Sequence, residues 1–150
     1  MSEESQGASV EARSATFAQL ARPALEKHLP GATGPKVHWH LGANEAWVRL
    51  PRPDGLFEYF GLRRHLDWVT GEVGISRTPS GLAALPLVHT PPARGARGFR
   101  IRLGDILDEE DRWWPAGDSE PQVMERLEGL ALLLAVKGGA CLRRWSGADA

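Results

Sequence analysis

VHWHLGANEAWVRL, residues 37–50, is the stretch on which the fold turns. Val37, Trp39 and Leu41 alternate with His38 and His40, and Ala46, Val48 and Leu50 alternate with Trp47 and Arg49. Successive side chains of an extended strand point to opposite faces, so this two-residue period describes two strands, each apolar on one side. Gly42-Ala43-Asn44 between them has turn composition, and the whole reads as an antiparallel hairpin.

The same period recurs downstream. Pro51-Arg52-Pro53-Asp54-Gly55 supplies fixed dihedrals and an Asp-Gly turn into a third strand, Phe57-Glu58-Tyr59-Phe60. Trp68 to Ile75 is a fourth, whose glycines invite a bulge, and Phe99 to Leu103 a fifth. Between them Arg77 to Gly98 holds four prolines without a sustained period and reads as a long loop.

Helical spacing brackets the strands. Phe17, Leu20, Ala21, Ala24, Leu25 and Leu29 recur at three- and four-residue steps, predicting a helix over about Ser14 to Leu29 that Pro23 should kink and Pro30-Gly31 should stop. Ser119 with Gln122 makes a capping-box pattern, Pro121 suits a first turn, and Val123, Leu127, Leu130, Ala131 and Leu134 form a stripe, predicting a second helix from Glu120 to Lys137. Gly138-Gly139 should end it, with Ala140 to Trp145 returning as a short edge strand. The expected fold is α+β, with an antiparallel sheet of about five strands and two helices packed on one face. Residues 1–8 read as a disordered tail and 9–150 as a single domain.

Composition agrees with one domain: 150 residues, 42% of them hydrophobic and 25% charged. Eighteen Lys plus Arg against 19 Asp plus Glu leave a formal charge of -1, which disfavours nucleic acid as a partner. The single Cys141 forms no internal disulfide, the first residues lack a secretory pattern, and no apolar run approaches the roughly 18 residues of a membrane span. A cytoplasmic location without membrane contact is expected. Arginine outnumbers lysine 15 to 3, and Ala, Gly and Pro abound, a bias associated with GC-rich bacterial genomes.

From Phe99 through Trp145 the chain reads as a strand, Gly-Asp-Ile-Leu, a Trp-Trp pair near Asp111 and a helix closing on a short strand. In this order it resembles a group of small bacterial proteins classed as a domain of unknown function. The resemblance brings no activity with it; it implies a binding role of the kind found around toxin-immunity systems.

No chemical motif stands out. His38 and His40 share a strand face and could begin a metal site, with a third ligand from His65, His89, Glu58 or Glu72, though no spacing fixes one. An enzyme centred on these histidines, with Glu58 or Glu72 as acid or base, is the alternative reading. Neither a G-x-S-x-G elbow nor a phosphate-binding glycine loop occurs, and no cofactor is called for. With the apolar strand residues facing the helices, the other face should present His38, His40, Trp47, Arg49, Glu58, Trp68, Glu72, Arg100 and Arg102. Trp and Arg dominate binding hot spots. Beside them an acidic run from Asp105 to Asp111 leads into Trp113 and Trp114, while Arg94, Arg97, Arg100 and Arg102 offer opposing charge. The expectation is a non-enzymatic binding protein, immunity-type roles included, whose exposed sheet face and Trp-Trp loop meet another protein.

Overall fold

The computed structural model describes residues 15–90 and 92–146. The expected tail over residues 1–8 lies outside them. Helix α1 (Phe17–His28) begins at a complete capping box: Gln19 donates its backbone N–H to Thr16 Oγ1 (3.2 Å) and accepts at Oε1 from the Thr16 N–H (2.9 Å). The helix runs through Pro23 and buries Phe17, Ala18, Ala21, Ala24 and Leu25. A 3-10 turn (Pro30–Thr33) leads to strands β1 (His38–Leu41), β2 (Glu45–Pro51), β3 (Phe57–His65) and β4 (Trp68–Ser76). A second 3-10 turn (Leu82–Ala84), β5 (Leu87–Val88), β6 (Phe99–Arg102), the one-turn α2 (Leu103–Ile106) and β7 (Trp114–Pro115) precede α3 (Glu120–Leu133). A π turn (Leu134–Gly138) joins α3 to α4 (Gly139–Trp145).

The chain is thus α+β with a mostly antiparallel sheet. Seven strands, rather than five, are ordered β1-β2-β3-β4-β6-β5, with β7 paired to the start of β4 and only β5–β6 parallel. The two added strands, β5 and β7, are two-residue pieces, too short to show a period. Strand β3 runs past the expected Phe60 to His65, and its pairing with β4 is unbroken from Phe57↔Ser76 to His65↔Trp68, so the expected bulge does not occur.

Ala46, Val48, Phe60, Leu62, Val69, Val73, Ile75, Phe99 and Ile101 meet Leu25, Val123, Leu127, Leu130 and Leu134 of the helical segments in the main core. Each such leucine contributes about 2 kcal/mol by leaving water. Lys27 of α1 pairs with Glu128 of α3 at 3.1 Å across the helix interface.

The expected stop at Gly138-Gly139 and the strand beyond it are corrected. Both glycines keep right-handed helical dihedrals, and the chain turns into α4 instead. Gly138 serves close approach: a Cβ there would lie 2.6 Å from Val73 Cγ1. The sequence signal was real, but it marked helix-on-sheet packing rather than termination.

Candidate functional site

The sheet face turned away from the helices is set by register. One row across it reads His40, Trp47, Gly61, Glu72, Arg102; the next reads His38, Arg49, Tyr59, Gly74, Arg100. The alternation therefore brought His38, His40, Trp47, Arg49, Glu72, Arg100 and Arg102 to one face, as expected.

Glu72 is the centre of this face and is only 1% exposed. Its Oε1 accepts from Arg100 (3.1 Å), its Oε2 from Arg102 Nε (3.0 Å), and Arg63 Nε lies 3.3 Å from the same Oε2. The pairing continues outward on both sides. Arg102 reaches Asp111 at 2.6 Å; Arg63 reaches Glu45 at 3.1 Å, and Glu45 in turn meets His40 Nε2 at 3.0 Å. Burial works against the Arg102 charge, yet Glu72 and Asp111 outweigh it and raise its pKa. Three arginines and three carboxylates hold one another in a single strip, so the side chains are preorganised and their charges largely spent internally. Arg49 differs: it donates to the Ser80 carbonyl (2.8 Å) and has no carboxylate partner among the described residues.

Trp47 corrects the expectation of an open aromatic surface. It is 6% exposed, stacked on His40 at 5.2 Å, edge-on to Tyr59 at 5.8 Å, and roofed by Leu82 and Leu85 of the 77–98 segment. Leucine 82 seats closely because Gly61 leaves room; a Cβ there would lie 2.8 Å from Leu82 Cδ2. Tyr59 pins the roof, accepting from the Ser80 N–H (3.0 Å) and sharing a hydrogen bond with Ser76 Oγ (2.8 Å). Within the stretch read as a long loop, residues 80–85 form a lid on the sheet.

Glu58 lies on the opposite face, next to the helices, and this too is a correction. Arg52 bonds Glu58 (3.2 Å), Asp54 (2.8 Å) and Ser146 (3.0 Å) there. Burial raises the Glu58 pKa, with Arg52 and Arg143 opposing. His38 and His40 flank Trp47, but among the described residues no three His, Cys, Asp or Glu side chains are grouped to hold a metal ion.

The Trp-Trp pair splits. Trp114, in β7, is buried in the main core with the Arg112 guanidinium 5.0 Å from its ring. Trp113 is half-buried under Arg102 (5.3 Å) and edge-on to His65 (6.4 Å). It joins the charged strip to the tip of the β3–β4 hairpin, where Trp68 is 48% and Leu66 75% exposed. Leu66 has φ 54°, in the left-handed region. Its carbonyl accepts from Arg64 Nε (2.8 Å), and the next carbonyl, of Asp67, accepts from the Ala116 N–H (2.8 Å), so the tip is held in shape.

Sequence reasoning missed Arg63, Glu45 and Leu66. Arg63 fell beyond the expected end of its strand, although its two-residue step from Gly61 and Tyr59 places it on the same face. Nothing in the sequence pointed to Leu66. No protein-family model matches the chain, and no curated protein or solved structure matches it either.

Proposed function

We propose that this chain is a non-catalytic binding protein, bacterial and cytoplasmic, that docks another protein through the β3–β4 hairpin tip and the charged strip behind it. Leu66 carries the reading. Two-residue hairpin loops favour Gly or Asn where φ is positive, and a branched side chain there costs about 1 kcal/mol. A leucine in that conformation, with three-quarters of its surface exposed, gains little from burial in the chain itself. Beside it Trp68 and the edge of Trp113 supply aromatic area, while Arg63, Arg102 and Asp111 give a fixed charged border. Apolar anchors supply affinity and the border selects the partner. Immunity-type binding is one form this role would take. For the alternative enzyme around His38 and His40, the described residues offer no group of three His, Cys, Asp or Glu side chains that could hold a metal ion, and the one carboxylate beside His40, Glu45, is paired with Arg63.

The test compares Leu66→Gly and Trp68→Ala with the wild type as baits in cells of the source organism. A specific partner should be retained by the wild type and lost by both variants, with melting temperatures within about 2 °C of the parent. A partner held equally by both variants would exclude the tip. A thermal shift with divalent metals that His38→Ala and His40→Ala abolish would favour the alternative.

A further inference from the structure

We propose that β1 is the strand through which two copies of this chain join, antiparallel, into one continuous sheet. The two ends of the sheet are unlike. At one end β5 is a two-residue strand directly preceded by Pro86, and its shortness and that proline blunt it against pairing. At the other end β1 has no proline within it, and no strand of the described residues lies on its outer side.

The outward groups of β1 follow from its pairing with β2. The Gly42 N–H bonds the Glu45 carbonyl at 2.8 Å, which makes that pair hydrogen-bonded. Antiparallel pairs alternate, so His40↔Trp47 and His38↔Arg49 are hydrogen-bonded, while Trp39↔Val48 and Leu41↔Ala46 are not. The N–H and C=O groups of Trp39 and Leu41 therefore point away from β2, and among the described residues no backbone group pairs with them, which leaves a template for another strand.

Two features select a second copy as the occupant rather than a foreign segment. Antiparallel self-pairing about His40 sets Trp39 of each copy opposite Leu41 of the other. Both lie on the helix side of the sheet, and Leu41 is 46% exposed. Next to Leu41 is a groove of about 470 Å³ between Gly42, Ala43 and the Ala18, Arg22 and Pro23 side of α1, which lies on the side a second copy would approach. The second feature is charge. Arg22 and Glu26, paired at 3.2 Å, lie on that same side of α1. A two-fold axis through the β1 pair brings the two α1 helices alongside in opposite directions, so that Arg22 of each copy faces Glu26 of the other. The dimer surface is complementary to itself in hydrogen bonds, shape and charge.

Sedimentation of the full chain tests this. The wild type should be a dimer at about 0.1 mM. Leu41→Pro removes an outward N–H without touching the β1–β2 bonds and should give a folded monomer. Arg22→Glu and Glu26→Arg should each weaken self-association at least tenfold, because each sets like charges across the axis. Mixed together, these two variants should form a heterodimer, which differently tagged copies report by co-purification. A monomeric wild type overturns the proposal. So does a dimer that a folded Leu41→Pro leaves intact, or charge variants that fail to prefer each other when mixed.

Discussion

At the scale of single residues, the sheet face is governed by Glu72. Removing its charge leaves Arg63, Arg100 and Arg102 facing one another in a partly dry site. Breaking a buried ion network by deleting one partner is far more costly than its net worth, so Glu72→Gln should lose about 3 kcal/mol in urea unfolding, while Arg64→Ala, at the surface, should lose under about 1. Glu58 works in the opposite sense. Its pKa is raised by burial, so the folded chain binds this proton at higher pH than the unfolded chain does. That stabilising contribution is complete below the unfolded value and disappears as pH rises through the folded one. Glu58→Gln should therefore gain in melting temperature relative to the wild type between about pH 4 and 7. A difference that stays flat, or shrinks, would mean the Arg52 bond outweighs burial. Alternation alone placed Glu72, Arg100 and Arg102 correctly, since their strands carry apolar residues on one parity only in those segments. It failed at Glu58 because Phe57 and Tyr59 on one parity and Phe60 on the other are all covered, one set by the lid and the other by the helices.

At the scale of elements, the stripes and the cap of α3 were legible because they are local: Ser119, accepting from the Gln122 N–H (3.3 Å), starts α3 where side-chain chemistry says it should, whereas α1 starts at the Thr16–Gln19 capping box rather than at the expected Ser14. Close packing was not legible, because a glycine that makes room looks the same as one that makes a turn. Two alanine substitutions separate the cases. At Gly129 in α3 an added Cβ meets nothing within 4 Å, so Gly129→Ala should stabilise by about 1 kcal/mol through helix propensity alone. At Gly138 the same propensity gain is set against a Cβ 2.6 Å from Val73 Cγ1. Overpacking costs about 1–3 kcal/mol, and the branched Val73 is fully buried, so Gly138→Ala should lower the melting temperature despite the better helix former. Equal effects at the two sites would contradict the close approach of the π turn to β4.

At the scale of the whole molecule, the sheet is covered on both sides by structures of unequal strength. The helix side is one large cluster; the lid side is a small one made of Trp47, Tyr59, Leu82 and Leu85 with Phe57 against it. Sequence periodicity reveals the first because helices repeat, and hides the second because a proline-rich segment has no period by which to show what it buries. The two sides should come apart in order. Leu127 lies at the centre of the large cluster and is fully buried, so Leu127→Asp should abolish the cooperative melt. Leu82→Ala removes about 2–4 kcal/mol of packing from a segment otherwise held by Tyr59, the Arg49–Ser80 bond and the bonds of Arg100 to the Leu85 and Pro86 carbonyls. That loss exceeds what the lid can absorb while remaining far below what unfolds the sheet. Hydrogen exchange of Leu82→Ala should therefore show fast amides across 77–90 and β5 with α1, α3 and the centre of β4 still protected. If protection falls uniformly across the chain instead, the lid and the helical core form one cooperative unit, and the opening of Trp47 would require global unfolding.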